Sequence, residues 1–156
     1  MTIKRRTFLK RTLATSTVAM AAGAGVLVPR AVLAVWPETA FSASDVSGAI
    51  TGVVGSDATS DSDQINIKAP DIAENGAVVP VTVTTGLSNV ESIAIVASEN
   101  PTPLTSNFIL GSGAEGFVST RIKMAKTSDV IAVVKANGNL YSMKKEVKVT
   151  IGGCGG

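Results

Sequence analysis

The stretch AVVPVTVTT, residues 77–85, sets Val79, Val81 and Val83 on one side of an extended chain and Val78, Pro80, Thr82 and Thr84 on the other. A period of two with β-branched residues on one face is the pattern of a half-buried strand. Pro80 has no N–H to give to a ladder, so it points to an edge strand or a bulge. The same period recurs on both sides of this segment. QINIKA puts Ile65 and Ile67 together, and VESIAIVA does the same with Ile93 and Ile95. FVSTRIKMA alternates Val118, Thr120, Ile122 and Met124 against Ser119, Arg121 and Lys123. DVIAVVKA is an apolar run, and Asn137-Gly138 after it is a hairpin turn signal because both residues tolerate positive φ. The last strand carries Val147, Val149 and Ile151 on one face and stops at Gly152.

Between these strands GSDATSDSD and SENPTPLTSN read as loops, and FILGSGAEGF reads as a short strand with a glycine-rich turn. One helix is expected, where Val46, Ile50, Val53 and Val54 recur at helical spacing behind Ser44-Asp45, a good cap. Gly48 and Gly52 weaken it. Several strands joined by short turns, with a short N-terminal helix, predict an all-β fold, an immunoglobulin-like antiparallel β-sandwich. A glycine-rich, flexible arm is expected after it, at residues 152–156. The segment DIAENGAVVPV, residues 71–81, is the expected partner interface.

The amino terminus stands apart. Arg5 and Arg6 followed by Thr7, Phe8, Leu9 and Lys10 match a twin-arginine export signature. A short apolar run from about Leu13 to Val28 is diluted by threonines, serine and glycines, which suits a cleaved signal better than a membrane span. Val32-Leu33-Ala34 is a small-residue cleavage pattern, giving a signal at residues 1–34 and a domain at 35–151. Periplasmic location follows from this reading. Removing the signal takes six of the fourteen bases and none of the twelve acids, so the net charge becomes −4. The precursor's basic isoelectric point is therefore no argument for nucleic-acid binding. Ten acids face Lys68 alone from Val35 to Thr120, whereas seven bases face Asp129 and Glu146 beyond it. The carboxyl-terminal end is expected to be the more positive one, which favours a thiolate and attracts anions.

The composition excludes much chemistry. There is no histidine, which removes nucleophiles paired with histidine and His-containing copper sites. One cysteine cannot make a zinc cage, an iron–sulfur cluster or a haem attachment within the chain. Asp57, Asp61 and Asp63 lack the ligand count of a calcium loop. GSGAEG, residues 111–116, has no helix start or lysine after it and is a turn. No catalytic residue, resident metal or cofactor is expected.

What remains is Cys154, set between Gly152-Gly153 and Gly155-Gly156. An odd cysteine in an exported chain points to an intermolecular bridge or to a thiol kept for use. Glycine adopts backbone angles closed to other residues and leaves a slender chain that fits a narrow tunnel. Three extended residues beyond Ile151 reach roughly 10 Å, enough to present a sulfur inside another protein's active site. A thiocarboxylate carrier ending in Gly155-Gly156 would need cytoplasmic ATP chemistry, which the export signal contradicts. Two readings stand: a sulfur carrier, and an exported structural or binding sandwich that makes a Cys154-linked homodimer.

The twin-arginine signal, the Trp36-Pro37 after its cleavage site, the segment KAPDIAENGAVVPVTV (residues 68–83) and the terminal GGCGG together resemble the SoxY family of periplasmic thiosulfate-oxidation carriers. The resemblance covers essentially the whole chain. It implies an immunoglobulin-like sandwich, a Cys154 that carries sulfur covalently on a swinging arm, and no catalysis by the carrier itself. It also implies partners. These are a SoxZ-like subunit forming a heterodimer, a haem cytochrome that loads thiosulfate, a dimanganese hydrolase that releases sulfate and, in some organisms, a molybdenum–haem dehydrogenase.

Overall fold

The computed structural model describes residues 37–152. The expected signal at 1–34, Trp36 and the tail residues Gly153, Cys154, Gly155 and Gly156 lie outside the described residues. Two short helices come first, α1 (Glu38–Phe41) and α2 (Val46–Val54), followed by nine strands. These are β1 (Ser60–Asp61), β2 (Ile65–Lys68), β3 (Ile72–Asn75), β4 (Val79–Thr85), β5 (Val90–Ala97), β6 (Leu104–Ile109), β7 (Phe117–Ile122), β8 (Ser128–Ala136) and β9 (Asn139–Ile151).

The strands form two sheets. The larger runs β1-β9-β8-β5-β6, with β3 also paired to β9, and the smaller runs β2-β4-β7. The facing sides supply the core: Ile65, Ile67, Val79, Val81, Val83, Ile93, Ile95, Val118, Ile122, Met124, Val130, Val134 and Val147 are buried together. The alternation of AVVPVTVTT is thus the inward side of β4, with its three valines fully buried. Each such side chain is worth about 1.5–3 kcal/mol relative to exposure. The fold is the expected all-β, immunoglobulin-like sandwich.

The apolar continuity of β5 and β8 has a separate cause. Ala94, Val96 and Val133 point away from the sandwich and pack with Leu104 under Ala40, Ala49 and Ile50 of the two helices. A strand covered on both faces has no polar side to alternate with. The α2 helix begins as expected, with the Asp45 side chain accepting from the Gly48 N–H at 2.7 Å. Gly52, which weakens the helix locally, is where α1 crosses it: a Cβ there would stand 2.8 Å from Ala40 Cα.

Besides α1, which adds a second helix to the one expected, four details depart from expectation. The β4 strand is the middle of its sheet and not an edge. Even so, β2 ends opposite Thr82, so Pro80 has a partner, Arg121, on one side only. The β6 strand starts at Leu104, inside the segment expected to be a loop. The β3 strand and the two-residue β1 carried no alternation to find. Both run parallel to β9, so the sandwich is antiparallel apart from these two pairings.

Candidate functional site

Strand β9 is the element that leads to the cysteine. It is thirteen residues long, and its first nine residues pair with β8. Beyond Val147 it is held by other means. Ala73 and Asn75 of β3 lie opposite Val149 and Ile151. The Val149 N–H donates to Thr127 Oγ1 at 2.9 Å, and the Lys148 N–H donates to the Asp71 carbonyl at 3.0 Å. The strand's last residue is fixed too, since the Ile151 carbonyl accepts from the Gly76 N–H at 2.7 Å.

Gly76 also links this strand end to the segment after β7. Its carbonyl accepts from the Met124 N–H at 2.7 Å, and the Met124 side chain is fully buried. The corner at Lys123–Ala125 is clamped by Asn100, a residue of the β5–β6 connection that is only 7% exposed. Asn100 Nδ2 donates to the Lys123 carbonyl and Asn100 Oδ1 accepts from the Ala125 N–H, both at 2.8 Å. A buried amide with both ends used in this way satisfies two backbone groups that no ladder reaches. Next to this corner Lys126 and Glu99 form an exposed ion pair at 2.8 Å.

Gly152 sits directly against this corner. A Cβ at position 152 would lie 2.1 Å from the Ala125 carbonyl oxygen. No side chain fits there, so glycine is required by close approach of two backbones and not by a turn angle. Gly152 is the one residue of the expected arm that is described. Cys154, Gly153, Gly155 and Gly156 lie beyond the described residues. Ile151 just before it is two-thirds exposed (66%) although it follows the buried Val147 and the half-buried Val149 on one face, because here the strand runs past the end of the core.

The expected positive end is partly neutralised. Lys126 pairs with Glu99, Lys135 with Glu91 and Lys145 with Asp71 at 3.0 Å. Among the described residues, Arg121, Lys123, Lys144 and Lys148 make no ion pair. Arg121 and Lys123 line a shallow cleft of about 250 Å³ beside the Asn100 corner. No helix among the described residues is long and apolar enough to cross a membrane. Likewise among the described residues, no group of three or more histidine, cysteine, aspartate or glutamate side chains could hold a metal ion.

The sequence model of the sulfur oxidation protein SoxY family matches residues 50–154, two-thirds of the chain, and reaches the single cysteine. The chain belongs to the SoxY family. Among solved structures, the sulfur carrier protein SoxY from Chlorobium limicola f thiosulfatophilum is similar at 45% identity with a TM-score of 0.60. That likeness covers 66% of this chain and 94% of the other. A superoxide reductase (neelaredoxin) from Ignicoccus hospitalis follows at 21% identity and a TM-score of 0.49, covering 55% of this chain and 80% of its own. That likeness is too slight to bear on chemistry. No curated protein sequence matches the chain. SoxY membership makes a sulfur-carrier role the plain reading of this sandwich and gives no indication of a catalytic activity.

Sequence reasoning found the cysteine from composition. It missed Asn100 and Ala125, which flank no motif, and the role of Gly76, although that residue lies inside the segment 68–83. The faint signal was Asn100 before Pro101, an uncharged polar residue in a connection between two apolar strands.

Proposed function

We propose that this SoxY-family chain holds sulfur-oxidation intermediates covalently on Cys154 and presents them to successive partner enzymes in the periplasm. The observation that carries this reading is the family match extending through residue 154, the only cysteine the chain has. The arrangement before it agrees. Strand β9 delivers the chain past the end of the core, where the Ile151 side chain is largely exposed.

The chemistry balances on one sulfur. The Cys154 thiolate and thiosulfate join through a new S–S bond, giving a cysteine S-thiosulfonate and two electrons, which a haem cytochrome partner accepts. Water then attacks the terminal sulfonate sulfur on a dimanganese hydrolase. The sulfane–sulfonate bond breaks, sulfate and two protons leave, and Cys154 keeps a persulfide. A molybdenum–haem dehydrogenase, where present, oxidises that outer sulfur further. The carrier's own residues break no bond in this sequence. Their task is to keep the thiol accessible and to let each enzyme admit it.

The same reading takes residues 1–34 as a twin-arginine signal, 35–151 as the carrier domain and 152–156 as the arm, with a SoxZ-like subunit as the partner in a heterodimer. Replacing Cys154 with serine tests it. The expected result is loss of thiosulfate-dependent sulfate release with fold and partner binding unchanged. Sulfate release that continues unchanged in that variant would overturn the proposal. Protein found only as a Cys154-linked homodimer would favour an envelope sandwich joined by a disulfide.

A further inference from the structure

We infer that Gly152 is the fixed pivot of the carboxyl-terminal arm, and that Asn100, acting through Ala125, is the residue that positions it. The arm proper then begins at Gly153. The consequence for loading rests on the carrier reading above, whereas the pivot itself does not.

The geometry closes a ring around the strand end. The Ile151 carbonyl is tied to Gly76, Gly76 is tied to Met124, and the backbone of Gly152 lies against the Ala125 carbonyl. Ala125 cannot yield easily, because its N–H and the Lys123 carbonyl are both held by the buried Asn100 amide, and Met124 between them is anchored in the core. An approach in which any Cβ would meet a carbonyl oxygen at 2.1 Å is open to glycine alone. Gly152 therefore differs in purpose from the glycines after it. Its missing side chain lets the strand end lie down on the corner.

The reach of the thiol changes accordingly. Two residues beyond a pivot at Gly152 extend roughly 7 Å, against roughly 10 Å for three residues swinging from Ile151. A partner's active site must then come down onto this end of the sandwich, over the Glu99–Lys126 pair and the Asn75–Ala77 turn. An arm this short does not allow the enzyme to work at a distance.

The test is ¹⁵N relaxation on the mature chain, reading the heteronuclear NOE along Thr150 to Gly156. The expected profile keeps Gly152 at the level of β9 and drops sharply at Gly153. Asn100→Ala is expected to bring Gly152 down to the level of Gly153. Asn100→Asp, which keeps the acceptor for the Ala125 N–H but sets a second acceptor against the Lys123 carbonyl, should fail to restore it. Gly152 as loose as Gly155 in the unaltered chain would overturn the pivot without any variant needing to fold. A second arm compares Gly152→Ala with Gly153→Ala. The first should shift the amide resonances of Ala125 and Lys126 and the second should not; equal, small shifts from both would contradict the inference. With the haem cytochrome partner as probe, Asn100→Ala should slow loading of Cys154 several-fold while its reaction with a small disulfide reagent stays unchanged. Unaltered protein that is never loaded would sink the carrier reading, and the relaxation profile would then decide the pivot alone.

Discussion

Strand β9 starts at one end of the sandwich and finishes at the other, and the two ends are secured by different means. At its start the chain turns back on itself. Asn137 and Gly138 take positive φ values of 52° and 74°, and the Asn137 side chain bonds Asn89 at 2.8 Å and the Ser88 carbonyl at 3.0 Å. The Gly138 N–H donates to Glu91 Oε1 at 2.9 Å. Every group there serves to return the chain into the sheet. At the far end the last contacts come from elsewhere in the fold. Gly152 is held from outside its own strand, by a corner that Asn100 clamps, and the chain goes on towards Cys154. A hairpin is closed by residues next to one another, whereas an exit is fixed by residues brought together only by the fold.

The sharpest way to break this contrast is Gly152→Ala. Overpacking two backbones should cost about 1–3 kcal/mol and lower the unfolding midpoint, because either the strand end or the corner must move. Chemical denaturation measures it, and an unchanged midpoint would mean that the exit is not held. Asn100→Ala should follow with a cost of about 1–3 kcal/mol, since it leaves the Lys123 carbonyl and the Ala125 N–H without partners in a largely buried place. At the other end, Gly138→Ala forces a Cβ into left-handed backbone with open space around it, so about 1 kcal/mol of conformational strain is the whole effect.

The smallest expected effect is a pH dependence at the hairpin. The Gly138 N–H and then Lys135 hold the Glu91 carboxyl below its ordinary value of 4.5. A depressed folded pKa contributes stability that is present above the unfolded value and is lost as pH falls below 4.5 through the folded one. Glu91 is solvent-exposed, so the effect is slight. Thermal melts of Glu91→Gln should show a shallower loss of stability below pH 4.5 than the unaltered chain. Parallel profiles would show that the hairpin does not use this carboxylate.

The same contrast explains what could be read from the chain. The strands of the core were legible because burial on one face writes a period of two into β2, β4, β7 and β9. The α2 helix was legible from Asp45 and a helical spacing. The β3 strand was not, because only Ala73 of its four residues is buried and its place is set by backbone pairing with β9. The start of β6 was hidden by Pro101 and Pro103 and by its polar Thr105, Ser106 and Asn107, which stay half-buried. Cys154 could be found because it is unique, and the Asn137-Gly138 turn because its signal is local. The corner under Gly152 joins residues 76, 100, 125 and 151, and no short window of sequence contains more than one of them.

The most direct test of the central claim is intact-mass spectrometry, without reductant, on mature protein from cells oxidising thiosulfate, with fragmentation to locate any adduct. Reducible additions confined to Cys154, with masses of a thiosulfonate or of extra sulfane sulfur, are the predicted result. A thiol that is only free, or joined only to a second copy of the chain, would contradict it.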